Sequence, residues 1–408
     1  MLLYRERYVS KLRDLAGQRA VKAVTGMRNC GKSTIAAMFI SDLKARGVPG
    51  SMICYVDVEA APGIRNEQDL RAHLRDAVPD PRGAFVFLDE VQSIPGWEGA
   101  AADLFDGGAD VYVIGSSMDV LSPALAERTG PLEEVRVHTL SLAEYAGIRS
   151  GRPVSEIFND YVLKGSLPSA ATLVDEAPEH VGGMHVGMFH TSLMRDVAVP
   201  NDVRDLRALS ELCFAIMESI GGRASVHGLA DRLASVGHKT GRPTIESYLA
   251  LLERGYLISR IRRWDARAGD VLRTASKYYA TDTGVRNFIL DSDGSADMGA
   301  LLENVVFNEL ARRYGEVYYC ATPEGDVDFV TNPTTDPRYY QVIAGPLSVG
   351  PLEAKLRPLR WVGDPERTEI LMRDDPPQDE IDGVRVEKIS DWLVRAPRRR
   401  SQNLLFFA

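Results

Sequence analysis

Apolar and polar positions change period repeatedly along the first third of this chain. Short apolar runs rich in β-branched residues, at 20–24 (AVKAV), 51–58 (SMICYVDV), 83–90 (GAFVFLDE) and 110–114 (DVYVI), have the length and composition of buried strands. Between them lie stretches such as 34–43 (TIAAMFISDL) with apolar residues at helical spacing. Alternating strands and helices predict a three-layer α/β fold, a parallel sheet with helices on both faces. From 154 to 200 the pattern is largely helical and is broken by Gly165 and Pro168. Three amphipathic helices are then expected: 206–220, stopped by Gly221-Gly222; one capped by Ser225 that runs to Leu233; and one from Pro243-Thr244 to Gly255. Residues 256–264 (YLISRIRRW) and 277–281 (KYYAT) read as a pair of strands, and 301–310 (LLENVVFNEL) as a helix followed by strands at 316–319, 326–330 and 339–343.

The length of 408 residues implies two or three domains at roughly 150 residues each. A hydrophobic fraction of 45% and a charged fraction of 26% are ordinary for a globular protein, so disorder is not expected over most of the chain. Four cysteines (Cys30, Cys54, Cys213, Cys320) lie far apart without zinc-ligand spacing, so neither a disulfide framework nor a structural zinc is indicated. A net charge of -9 argues against wholesale coating of nucleic acid while permitting a local basic face. The opening MLLYRERYVSKLRD lacks an apolar core of signal-peptide length, and no apolar run approaches the roughly 18 residues needed to span a bilayer. The expectation is a cytoplasmic protein with no membrane partner.

The chemistry begins at Gly26-Met27-Arg28-Asn29-Cys30-Gly31-Lys32-Ser33, followed by Thr34, between an expected strand and an expected helix. In that context the glycines let successive backbone N–H groups turn inward on phosphate oxygens, and the helix N-terminus adds its positive dipole end. Lys32 would reach the β- and γ-phosphates and Ser33 would place its hydroxyl on Mg²⁺. The apolar run ending at Asp89-Glu90 suits a strand that delivers two carboxylates at its C-terminal edge. Asp89 would hold Mg²⁺ through water, and Glu90 would orient and polarise an attacking water. The strand at 110–114 leads into Gly115-Ser116-Ser117, where two readings stand: Ser116 senses the γ-phosphate, or it caps the next helix.

Taken together, TGMRNCGKST, FVFLDEVQSIPGWE with Gln92, Pro95 and Trp97, VYVIGSSMDVLSPALAERTG and LSLAEY closely resemble the AAA-type P-loop ATPases of bacteria and archaea that carry a C-terminal domain of unknown function. YVLKGSLPSA, TIESYLALLERGYL, KYYATDTGVR, LLENVVFNEL and DVDFV extend the resemblance over nearly the whole chain. It implies ATP as ligand with Mg²⁺, adenine as the base, and leaves a homo-oligomer open, since arginines supplied between subunits are common in this class. Two departures stand out. The chain reads Gly130-Pro131 where the family commonly has Gly-Arg, and Ser166 where it usually has a second glycine. Arg128 is the nearest substitute for the missing arginine, either stabilising transition-state charge or sitting as a solvated residue at a helix end.

The three helices and strand pair after residue 204 resemble a winged helix-turn-helix. As a DNA reader its third helix would enter a major groove with Arg242, Arg260, Arg262 and Arg263 on phosphates; as a protein scaffold it would need none of them. That helix carries two glutamates and few cations, a poor composition for a groove. The final stretch resembles a restriction-endonuclease-like fold, with Glu303, Asp328 and Gln341 at the acid positions and Ile343 where a lysine belongs. An aliphatic residue supplies neither charge nor proton transfer, so the acids either serve the fold or bind an ion without cutting. The expected organisation is 1–150 ATPase core, 151–200 helical connector, 201–290 winged-helix-like domain, 291–398 inactive nuclease-like domain and 399–408 basic and apolar tail. The expected function is ATP hydrolysis (Lys32, Glu90, Ser116, Arg128) coupled to movement of C-terminal modules that bind DNA or a protein; the alternatives are an ATP-gated binding switch without turnover and an ATP-gated nuclease.

Overall fold

Five parallel strands, β1 (Lys22–Thr25), β2 (Ile53–Asp57), β3 (Phe85–Asp89), β4 (Asp110–Gly115) and β5 (Glu133–Arg136), form the first sheet in the order β2-β3-β4-β1-β5. The computed structural model describes residues 3–149, 151–345 and 349–395, so the basic and apolar tail lies outside the described residues. Side chains alternate between two cores as a pleated strand requires. Val24, Phe87, Tyr112 and Ile114 face one side, with Phe39 of the helix Lys32–Ala45 and Leu12 of the N-terminal helix Glu6–Leu15. Ala23, Val86, Leu88, Val111 and Val113 face the other, against Leu70 and Leu74 of Glu67–Ala77 and Trp97 and Leu104 of Trp97–Asp106. This is the three-layer α/β sheet expected from the pattern, with β5 as a fifth strand that the pattern did not single out. Its exposed Glu133 and half-buried Glu134 and Arg136 hide the strand signal.

β4 lies between β1 and β3, so the C-terminal ends of the strands that carry the glycine-rich loop, Ser116 and Asp89-Glu90 converge on one edge. Above that edge sit the connector helices Val154–Lys164, Pro168–Glu176 and Val181–Ser192, the last continuing into a π-helical turn, Leu193–Ala198.

The helices Leu206–Glu218, Val226–Ser235 and Arg242–Arg254 follow, and Ser225 caps the second by accepting from the Gly228 amide at 3.1 Å. Nine strands then make one sheet in the order β13-β14-β12-β11-β10-β9-β7-β8-β6. They are β6 (Arg223–Ala224), β7 (Ile258–Asp265), β8 (Asp270–Ala280), β9 (Val317–Thr322), β10 (Gly325–Thr331), β11 (Arg338–Ile343), β12 (Thr368–Met372), β13 (Glu380–Ile381) and β14 (Val384–Lys388). β7 pairs antiparallel with β8 and parallel with β9, so the expected division at residue 290 falls inside a continuous sheet. The helix Met298–Tyr314 packs Val305, Val306 and Leu310 into the same core as Phe39 and Tyr112 of the first module. No helix among the described residues is long and apolar enough to cross a membrane.

Candidate nucleotide site

The loop after β1 is shaped by what its residues cannot do elsewhere. Gly26 has φ 144°, and a side-chain carbon there would run into the Val137 carbonyl. Met27 and Cys30 turn inward and are buried, which anchors the loop to the core and turns the remaining backbone outward. Gly31, at φ 102°, is the residue from which the helix Lys32–Ala45 starts, so the helix N-terminus points into the cavity. From behind, the buried guanidinium of Arg5 donates to the Cys30 carbonyl at 2.9 Å and pairs with Glu144 at 2.9 Å.

A cavity of about 740 Å³ opens over this loop. Arg28, Asn29, Gly31, Lys32, Ser33 and Thr34 line it from the loop and helix, Asp89 and Glu90 from β3, Asp57 and Glu59 from the end of β2, and Pro168, Met184 and Arg195 from the connector. Lys32 places its ammonium 3.2 Å from the Met27 carbonyl and 3.7 Å from Glu90. Of the expected ligand set, Gly26, Met27 and Cys30 contribute backbone shape rather than cavity surface.

Glu90 adopts φ 51°, an uncommon conformation for a residue with a Cβ, and one that turns its carboxylate back over the strand ends. Gln92 donates to it at 2.6 Å, and the Ser116 hydroxyl lies 2.8 Å away. Gly115 makes room for this approach, because a Cβ there would collide with the Gln92 amide. Burial pushes the Glu90 carboxyl up, but Lys32, Arg28, Ser116 and Gln92 outweigh it and hold the group below its ordinary value. It is therefore an anion at neutral pH, the form that can accept a proton from water.

Asp89 is buried, and burial raises its carboxyl, only partly offset by the Ser33 and Tyr55 hydroxyls. Tyr55 of β2 donates to one oxygen; the other, Oδ1, is buried with no hydrogen-bond partner among the described residues. An orphaned carboxylate oxygen beside Ser33, at the mouth of a phosphate-shaped loop, fits a hard divalent cation such as Mg²⁺.

Ser116 is fully buried, and its neighbour Ser117 does the capping, by accepting from the Asp119 amide at 3.1 Å. The Ser116 hydroxyl instead lies between Glu90 and Asp196, 2.6 Å from the latter. Arg28 is gripped by Asp196 at 2.7 and 3.0 Å and by Glu59 at 3.1 and 3.2 Å. Asp196, Arg195, Glu59, Tyr55 and Arg5 belong to no motif, and their spacing in sequence gave no signal. Arg128 stands apart from the cavity, held on the surface by Asp103 at 3.1 Å and Asp106 at 3.0 Å.

Of the other expected site residues, Glu303, Asp328 and Ile343 line a second cavity of about 480 Å³ against the nine-stranded sheet, and Gln341 lies buried behind it. Glu303 accepts from the Tyr279 hydroxyl at 2.5 Å and faces Lys277 at 3.4 Å. Asp328 accepts from the Val342 amide at 2.8 Å and from Lys355 at 3.0 Å. Gln341 is buried and spends its carbonyl on the Asp328 amide at 3.2 Å. Ile343 brings no charge, as its sequence implied, but Lys355 on the helix Val349–Val362 brings one to Asp328 from another element. Two of the arginines assigned to DNA phosphates, Arg260 and Arg262, line a cavity against Phe307 and Tyr318, and Arg263 donates to the Ala321 carbonyl at 3.4 Å.

With this geometry in hand, residues 18–146 match the family described as an AAA domain, and residues 155–296 match a domain of unknown function, DUF8612. The loop, the strand order and that match together define an AAA-type P-loop ATPase domain in the N-terminal part of this chain. The chain is 25% identical over 403 residues to an uncharacterized protein of Haemophilus influenzae, covering 97% of this chain and 99% of that one. It is 24% identical over 329 residues to an uncharacterized protein of Methanocaldococcus jannaschii, covering 76% and 71%. Among solved structures, a Walker-type ATPase of Pyrococcus abyssi shares the fold with a TM-score of 0.52 at 16% identity, covering 71% of this chain and 96% of that one.

Proposed function

We propose that this protein binds ATP with Mg²⁺ at the Gly26–Thr34 loop, hydrolyses it to ADP and phosphate, and uses the change to move its C-terminal modules. The observation that carries the reading is the meeting of Lys32, Ser33, Asp89 and Glu90, from two different strand ends, around one cavity. Ser33 and Asp89 would hold Mg²⁺, which when bound neutralises charge on the phosphates. The loop amides and Lys32 hold and orient the phosphates. Glu90, kept anionic and fixed by Gln92, orients the attacking water and takes its proton.

The engagement of Arg128 with two aspartates favours a second reading, a switch that binds ATP and turns over slowly. We read the second cavity as a site that does not cut nucleic acid, because the third position is an amide, Gln341, whose carbonyl is spent on the Asp328 backbone; Lys355 restores only the charge that Ile343 lacks. The three helices and β7–β8 hairpin are read as a winged-helix-like binding module for DNA or a protein. The composition of its third helix, with Glu246 and Glu253 and few cations, favours a protein.

Purified full-length protein should bind ATP, and Lys32→Ala should weaken that binding by about 100-fold. Glu90→Gln should retain binding and lose turnover by on the order of 100-fold or more. Parental hydrolysis in both variants would refute the assignment. Tight ATP binding by the parent with turnover near zero would select the switch.

A further inference from the structure

Of the connector elements that line the nucleotide cavity, one brings a charged side chain to it. It is the π-helical turn Leu193–Ala198, which follows the connector helix Val181–Ser192. A π-turn carries one residue more than an α-helical ladder holds, and such turns are frequent at functional positions. Here it presents three consecutive residues in three directions.

Asp196 is buried and bonds Ser116 at 2.6 Å and Arg28 at 2.7 and 3.0 Å. Ser116 has one proton and two carboxylates beside it, Glu90 and Asp196, so it serves one of them at a time. The Arg195 side chain is 62% exposed, lines the cavity, and among the described residues is held only by Glu59 at 3.2 Å, which it shares with Arg28. Val197 packs on the opposite side against Gly255, where a Cβ would collide with it, at the end of the helix Arg242–Arg254. That helix returns to the ATPase core through an ion pair from Arg254 to Asp119, three residues beyond Ser116.

We propose that Arg195 is the arginine supplied to the nucleotide's terminal phosphate from within the same chain, and that Asp196 is a positioning residue that holds Ser116 and Arg28 until that phosphate competes for them. The proposal rests on the ATPase reading. A terminal phosphate arriving beside Glu59 and Asp196 puts four anionic groups, the phosphate with Glu59, Glu90 and Asp196, around Arg28 and Arg195. Both guanidiniums gain charge-assisted bonds by turning to the phosphate, and the carboxylates lose their partners. Asp196 then withdraws, Ser116 is left to Glu90 and the phosphate, and the π-turn shifts Val197 against Gly255. ADP lacks the competing group and leaves the turn as it is. Arg195 thus fills the role that Pro131 and the surface-held Arg128 leave vacant.

The test uses the full chain. Affinities for ATP and ADP, kcat and KM, and hydrogen exchange over residues 242–255 are measured for the parent, Arg195→Ala, Arg195→Lys and Asp196→Asn, with circular dichroism as a folding check. Arg195→Ala should keep ADP affinity within about twofold and lose ATP preference and kcat by on the order of 100-fold, with partial recovery in Arg195→Lys. Asp196→Asn should bind ATP and erase the ATP-against-ADP difference in exchange over residues 242–255; if it does not fold, Ser116→Ala removes the same bond from the other partner. A parent that hydrolyses ATP while Arg195→Ala matches it in kcat and in nucleotide preference overturns this proposal alone. A parent that binds neither nucleotide overturns the ATPase reading and this proposal with it.

Discussion

Arg5 illustrates how a single residue outside any motif sets the shape of the site. Its guanidinium donates to the carbonyls of Cys30, His138 and Thr139, and Glu144 neutralises it at 2.9 and 3.0 Å. The loop is thereby held in its cradle from the side away from the nucleotide. Burial pushes the Glu144 carboxyl up, but the hydrogen bond and charge of Arg5 and the Ser141 amide outweigh it and keep the group below its ordinary value. Because the folded state binds this proton less readily than the unfolded state, the pair stabilises the fold at neutral pH, and that contribution is lost as pH falls through the lowered folded value. Glu144→Gln should therefore cost about 2 kcal/mol at pH 7, with the gap to the parent closing below about pH 4. Urea denaturation at a series of pH values reads this directly, and a gap as large at about pH 3 as at pH 7 would contradict it. Lys32, Ser33, Asp89 and Glu90 were legible in the sequence because each acts next to its own strand end. Arg5, Asp196 and Arg195 were not, because their partners lie in other elements: Cys30 and Glu144 for Arg5, Ser116 and Arg28 for Asp196, and Glu59 for Arg195.

Among elements, the informative contact is between two motifs noted in the sequence without a visible link, Gly165-Ser166 and Asp282-Thr283-Gly284. Asp282 caps the helix Thr283–Ile289 by accepting from the Val285 amide at 3.0 Å, and it also accepts from the Ser166 amide at 2.6 Å and hydroxyl at 3.0 Å. A Cβ on Gly284 would strike the Lys164 carbonyl, and one on Gly165 would strike Asp282 itself. The two backbones approach so closely that only glycines fit. Ser166, the departure from the usual second glycine, is accommodated because its hydroxyl joins the bond network and lies 2.8 Å from the Thr139 hydroxyl. Asp282→Ala strips a cap and two inter-element bonds together and should destabilise the protein by about 3 kcal/mol in denaturant titration. A loss under about 1 kcal/mol would mean that the junction is not a structural clasp. The helices at 206–220 and 243–255 were legible from their apolar period, and the one between them also from Ser225 at its start; the helix Thr283–Ile289 was not singled out. The clasp was not, since a capping aspartate looks the same whether or not a second element also leans on it.

At the scale of the whole molecule, one hydrophobic core runs from Tyr8 and Phe39 through Phe189 and Leu212 to Tyr279, Val306 and Trp392. Arg312 adds a polar tie by donating to the Thr139 carbonyl at 3.1 Å from the helix Met298–Tyr314. The parallel pairing of Arg262, Arg263 and Trp264 with Tyr318, Tyr319 and Cys320 joins the hairpin to the last module. A chain ending at residue 290 would expose the β7 edge and remove Val305, Val306 and Leu310 from the shared core. It should aggregate or melt well below the parent, by size-exclusion and thermal unfolding. A monomeric fragment with the parent melting temperature would show the modules to be independent. Four of the five strands of the first sheet, the glycine-rich loop and the paired carboxylates were determined by the sequence alone, because backbone preference, apolar period and neighbouring side chains act over a few residues. Which strands pair across residue 290, which lysine faces Asp328, where Arg128 is held and which connector arginine lines the cavity beside Lys32 were decided only by the tertiary structure. Those partners come from distant parts of the chain, and packing, with the demand that buried charges be paired, brings them together.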